Sequence, residues 1–186
     1  MPVLSPPVCD FGKKAPDFRL LGVDGRDYSL KDCSRENGLL VMFICNHCPY
    51  VKAVLPRLLE DVKTLQAEGI GCVAICSNDP VDYPEDSYEN MQRVAKSQQF
   101  SFPYLIDETQ EIAQAYGAVC TPDFFGYNSN FELQYRGRLD ESGIKPAPSG
   151  AKRELVEAMR MIATTMKGPK DQIPSQGCSI KWRGNH

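Results

Sequence analysis

At 186 residues with 42% hydrophobic content, the chain is long enough to bury the core of one ordinary domain without covalent staples. A formal net charge of −3 and a pI near 5.5, with no run of Lys or Arg, argue against a nucleic-acid surface. Residues 1–7 carry no charged start followed by an apolar signal core, and no later stretch approaches a membrane span, so a cytosolic protein without membrane contact is expected.

Ala15-Pro16-Asp17-Phe18-Arg19-Leu20-Leu21 and Arg26-Asp27-Tyr28-Ser29-Leu30 flank an Asp24-Gly25 turn and predict a hairpin ahead of the main sheet. Leu39 to Ile44 is an unbroken apolar run, as suits a strand buried on both faces. Val51, Leu55, Leu58, Leu59, Val62 and Leu65 then recur at helical spacing until Gly69 supplies a stop. Ile70 to Ser77 reads as a second, parallel strand, and residues 78–86 as a polar loop bearing proline. Tyr88 to Gln99 predicts a mostly polar helix with Met91, Val94 and Ala95 facing the core. Phe102 to Ile106 follows as a short strand, and Asp107 opens a helix that ends at Gly117. Residues 123–127 and 131–136 form a hairpin around Asn128-Ser129-Asn130, closing the sheet antiparallel. A Gly/Pro-rich loop from Gly143 to Gly150 leads to a last amphipathic helix with Leu155, Met159, Ile162 and Met166. With no internal repeat and no linker, residues 1–186 read as a single domain, its core at 12–167 and an aperiodic tail at 168–186. The order of elements predicts an α/β fold whose sheet has mixed strand directions at one edge.

Chemistry concentrates at Cys45-Asn46-His47-Cys48, on the junction between the first core strand and its helix, where free backbone N–H groups and the helix dipole favour an anion. In a reducing compartment a close pair of thiols is catalytic, redox-sensing or metal-binding. A zinc site needs two further ligands at suitable spacing; there is no second Cys-x-x-Cys or His cluster, so neither metal nor cofactor is expected. A dithiol centre needs an attacking thiolate and a neighbour that resolves the mixed disulfide. Cys45, at the first exposed position, is assigned as nucleophile, Cys48 as resolving thiol, and His47 as stabiliser of the Cys45 thiolate. Cys72 and Cys76 share one face of an apolar strand and read as packing residues, while Cys9 and Cys33 carry no functional argument. Cys178 and Trp182 lie in the tail, which either folds over the site or ties down the end of the chain. His186, at that end, is expected to be disordered.

Together Ala15-Pro16-Asp17-Phe18 with Asp24-Gly25, Cys45-Asn46-His47-Cys48, Phe102-Pro103-Tyr104-Leu105-Ile106-Asp107, Ala115-Tyr116-Gly117 and Thr121-Pro122 resemble the thioredoxin-like superfamily. The likeness is to its redoxin (AhpC/TSA, TlpA-like) branch. It implies a thioredoxin-like fold: a central mixed sheet flanked by helices, with an N-terminal β-hairpin extension and an inserted helix before the proline loop. It further implies a cis Pro122 packed against the cysteine pair, a substrate groove at Thr121 and Pro122, and Cys120 near the pair. Cys120 and Cys178 are thus candidate further redox thiols. Ile44 replaces the tryptophan usual before the first cysteine, the peroxiredoxin pattern Pro-x-x-x-Thr-x-x-Cys is absent, and the buried acid of thioredoxin has no evident counterpart. The implied activity is thiol–disulfide oxidoreduction on a disulfide-containing protein or small-molecule thiol substrate, with a thioredoxin or glutathione system as electron partner. The alternatives are an atypical thiol-dependent peroxidase and a non-catalytic redox-regulated binding module.

Overall fold

Apolar runs that carry no polar alternation must be covered on both sides, and the computed structural model, which describes residues 2–184, places two of them at the centre. Strands β4 (Leu39–Phe43) and β5 (Gly71–Cys76) pair in parallel, Leu39 opposite Gly71 and Phe43 opposite Ile75. All of their residues are buried. Alternation along the strands sends Leu40, Met42, Cys72, Ala74 and Cys76 to one face and Leu39, Val41, Phe43, Val73 and Ile75 to the other. Helices α2 (Pro49–Ala67), α3 (Tyr88–Ser97) and α5 (Glu154–Thr165) cover the first face, chiefly through Val54, Leu58, Val62, Met91, Leu155 and Met159. Helices α1 (Leu30–Cys33) and α4 (Glu111–Tyr116) cover the second, where Tyr116 meets Phe43 and Phe125 ring to ring.

The other strands are β1 (Val3–Leu4), β2 (Arg19–Gly22), β3 (Asp27–Ser29), β6 (Tyr104–Ile106), β7 (Cys120–Thr121), β8 (Asp123–Tyr127), β9 (Leu133–Tyr135) and β10 (Gly177–Ser179). The main sheet runs β3-β2-β6-β5-β4-β8-β9, with β4, β5 and β6 parallel and the remaining neighbours antiparallel. The hairpin β2–β3 is the N-terminal extension and α3 the inserted helix. A second, three-stranded sheet has the order β1-β10-β7.

Three local expectations are corrected. Residues 15–17 do not extend β2: Ala15 N–H donates to the Phe131 carbonyl and Gly12 N–H to that of Leu133, so this segment lies against the far edge of the sheet. The helix expected from Asp107 begins at Glu111, because the Asp107 carboxylate reaches forward to accept from the N–H groups of Ile112 (3.3 Å) and Ala113 (2.9 Å). The tail is not structureless, since β10 lies between β1 and β7 and its Cys178 and Ile180 are buried. Gly177 makes that docking feasible: a Cβ there would fall 2.0 Å from the Thr121 carbonyl oxygen. His186 lies outside the described residues. Among them, no helix is long and apolar enough to cross a membrane.

Candidate active site

The parallel strands end at the N-terminus of α2, and both cysteines sit at that seam. Cys48 is the N-cap residue, and Pro49 follows in the first turn, where its missing N–H costs nothing. Cys45, expected at an exposed position, is only 3% exposed, and Cys48 is fully buried. The covering comes from two directions: residues 78–86 fold over the His47 side, and β10 closes the Cys48 side.

Thr121 is the residue the thiols share. Its hydroxyl lies 3.4 Å from Cys45 Sγ, and its carbonyl accepts from the Cys48 thiol at 3.2 Å. The Thr121–Pro122 peptide is cis. Cys178 stands opposite Thr121 in the β10–β7 register, and it helps stabilise charge on the Cys48 sulfur. Cys120 is one residue away along the strand and turns elsewhere: its thiol faces the Pro122 carbonyl at 3.6 Å, and burial pushes it up to about 12. The structure therefore gathers Cys45, Cys48, His47, Thr121 and Cys178, with Cys120 near enough to feel the Cys48 sulfur but hydrogen-bonded to Pro122. The edge of Thr121, expected as an open groove, is occupied by the chain's own β10. Pro122 instead lines a cavity of about 210 Å³ with the apolar Val54, Phe124, Leu139 and Ile144 and the charged Arg138 and Asp140.

Two neighbouring thiols divide one proton. A hydrogen bond from the Cys45 thiol, helped by the Val51 N–H at the start of α2 and by Cys178, lowers the first ionisation, drawn to Cys48, below the ordinary thiol range. The same bond, then burial and the nearby Asp86 carboxylate, push Cys45 well up. The Thr121 carbonyl opposes charge on Cys48, and the Thr121 hydroxyl can donate to a thiolate at Cys45, so the negative charge can reside on either sulfur. The sign of the pH effect follows. Because the first proton leaves below about 8.5, the ordinary thiol value, a thiolate persists as the pH falls to about 6, where a free thiol is almost wholly protonated. Iodoacetamide labelling of the pair should hold its plateau rate to that pH, and Cys45→Ala, which deletes the principal hydrogen-bond donor, should move the profile to higher pH. A wild-type rate that falls tenfold per pH unit from about 8 would contradict this.

His47 does not point its Nδ1 at Cys45. That nitrogen is 2.5 Å from Asp86 Oδ2, and the ring stacks on Tyr83 with centroids 5.3 Å apart. Asp86, 1% exposed, also accepts from the Asn46 N–H (2.7 Å) and from Asn78 Nδ2 (2.8 Å). Asn46 in turn accepts from the Tyr104 hydroxyl at 2.8 Å. Asn78 Oδ1 accepts from the N–H of Lys181, which ties the loop to the tail. A buried acid beside the pair, for which the sequence offered no counterpart, is thus Asp86. It lies 39 residues beyond His47, in a 3-10 turn at Pro84–Asp86, and only the polar character of the loop at the end of β5 hinted at it.

Donor atoms of Cys45, His47 and Asp86 lie within 4.8 Å of one another, enough for three metal ligands. The Asp86 oxygens, however, already accept from Asn46, His47 and Asn78, so the carboxylate is committed to protein donors. His47 Nε2 is buried and has no hydrogen-bond partner among the described residues. It is the uncommitted basic nitrogen of the site.

Comparison with known proteins agrees with this architecture. An uncharacterized conserved protein from Geobacillus kaustophilus superposes with a TM-score of 0.94 at 41% identity, covering 100% of this chain and 99% of that one. A putative thiol:disulfide interchange protein DsbE from Chlorobium tepidum shares the fold at a TM-score of 0.63 and 20% identity, covering 84% of this chain and 99% of its own. A thiol-disulfide oxidoreductase ResA from Geobacillus thermodenitrificans is 27% identical over 136 residues, 72% of this chain and 74% of that protein. The model of the AhpC/TSA family matches residues 11–142, and with the thioredoxin-like sheet and helices around that span, the chain belongs to the AhpC/TSA family.

Proposed function

We propose that this protein is a thiol–disulfide oxidoreductase in which Cys45 attacks and Cys48 resolves. The observation that carries the reading is the pair itself: two thiols at a helix N-terminus, both held by Thr121. Relatives that bear the name thiol-disulfide oxidoreductase support it.

In the first step the Cys45 thiolate attacks one sulfur of a substrate disulfide, the substrate S–S bond breaks, and the departing sulfur takes up a proton. Cys48, as thiolate, then attacks Cys45 Sγ, releasing the second substrate thiol and leaving a Cys45–Cys48 disulfide. Two electrons have passed to the substrate. A thioredoxin or glutathione system returns them, in a reducing compartment that suits the eight free thiols of the fold and that we take to be the cytosol. His47, its Nδ1 held by Asp86, lies close enough to Cys45 to stabilise its thiolate. The substrate is a disulfide-bearing protein or small molecule, and the cavity beside Pro122 is apolar enough to take its flanking group.

Cys48→Ser tests the order of attack. The variant should accumulate a mixed disulfide through Cys45 when given an excess of a small disulfide or of intact insulin, identified by peptide mass mapping. Trapping through Cys120 or Cys178 alone would overturn the assignment, and turnover of peroxide without any disulfide turnover would favour the peroxidase alternative.

A further inference from the structure

A dithiol centre needs two sulfurs, and this site holds three. Cys178 is brought there by tertiary structure: β10 pairs with β7 so that Cys178 faces Thr121, the residue whose carbonyl accepts from the Cys48 thiol. The Cys178 thiol interacts with that of Cys48, and both side chains belong to the same buried cluster as Cys45. The approach is enforced on both sides of Cys178, by Gly177 packed on the Thr121 carbonyl and by Lys181, whose N–H is held by Asn78. We propose that Cys178 is a third exchange thiol, which attacks Cys48 in the Cys45–Cys48 disulfide to form a Cys48–Cys178 disulfide and release Cys45.

The exchange is internal and balanced. One S–S bond breaks as another forms, no electron leaves the protein, and the proton lost by Cys178 is taken up by the departing Cys45 sulfur. It rests on the oxidoreductase reading above, which supplies the Cys45–Cys48 disulfide. The electrostatics set its timing. In the reduced protein, burial and then the charge and hydrogen bond of the Cys48 sulfur hold the Cys178 thiol up, at about 11, so Cys178 is idle. Once Cys48 is in a disulfide that charge is gone, while Lys181, which lowers the Cys178 value, remains with its ammonium on the Ser179 carbonyl at 2.7 Å. The product frees Cys45 for another attack while the oxidising equivalent is stored between α2 and the tail, which are in direct contact. Cys120, on the neighbouring strand, instead directs its thiol to the Pro122 carbonyl at 3.6 Å.

The test is disulfide mapping of full-length protein oxidised with diamide, with free thiols blocked by N-ethylmaleimide and tryptic digestion without reduction. Cys45 and Cys48 fall in the peptide 36–52 and Cys178 in 171–181, so the two disulfides differ as an internal loss of two hydrogens and a cross-linked pair. Wild type should yield both forms. Cys45→Ser should yield the 36–52/171–181 cross-link alone, and Cys45→Ser with Cys178→Ser should yield neither. A wild type with only the internal disulfide, together with alkylated Cys48 and Cys178 in Cys45→Ser, overturns the third thiol but leaves the oxidoreductase reading standing. A wild type that forms no disulfide at Cys45 or Cys48 overturns both.

Discussion

Cys45→Ser should lower the rate of disulfide reduction by at least about 10⁴-fold, the scale on which loss of a nucleophile acts, while the fold persists because a serine hydroxyl can keep the contact with Thr121 Oγ1. Cys48, fully buried, is the less accessible of the two sulfurs to a substrate disulfide. Cys48→Ser should behave differently: the first half-reaction proceeds and stops at the mixed disulfide, so a single burst of product replaces turnover. Insulin precipitation and a chromogenic small disulfide measure both variants on the same preparations. If Cys45→Ser retained more than about a hundredth of the wild-type rate, the nucleophile would have to be sought elsewhere.

Arg136→Ala should destabilise the protein by about 3–5 kcal/mol, the cost of leaving a buried charge without its partner. Asp123, fully buried, follows Pro122 on β8, and its carboxylate meets Arg136 at 2.9 Å through Nη2 and 3.4 Å through Nε. The guanidinium also lies 4.4 Å above the Phe125 ring and donates to the Gly117 carbonyl. Burial raises the Asp123 carboxyl above its usual value and Arg136 pulls it back, so removing the arginine leaves burial opposed only by the Val119 N–H. The sign of the pH effect is then determined. A carboxyl whose folded-state value exceeds its unfolded one costs stability at high pH, and protonation relieves that cost as the pH falls. The deficit of Arg136→Ala should therefore shrink from pH 8 toward pH 5 in urea unfolding, and Asp123→Asn combined with Arg136→Met should recover part of it. A deficit below about 1 kcal/mol, or one that grows on acidification, would show that the pair contributes no more than a surface ion pair.

The central sheet was legible because its signal is local: Leu39 to Ile44 and Ile70 to Cys76 carry no polar residue that would turn a face to water, and Gly69 and Gly117 end helices with φ of +77° and +68°. The pair at Cys45 and Cys48 was legible for the same reason, as a short pattern at a strand–helix junction. Asp86 was not, because its role arises from contacts to Asn46, His47 and Asn78, none of which has a fixed spacing to it in sequence. Nor was β10, whose three residues Gly177-Cys178-Ser179 are too few to show a period and are ordered only by the edges of β1 and β7. The burial of Cys45 escaped for a related cause: it depends on both of these late-arriving pieces.

The two-residue register between β10 and β7 also carries a kinetic consequence. An extended partner that seeks the Cys120–Thr121 edge finds it taken, and binds only to molecules whose tail has come away. Its apparent dissociation constant is the intrinsic one divided by the fraction of molecules in that open form. A tail detached about 1% of the time would weaken such a partner about a hundredfold, or about 2.8 kcal/mol.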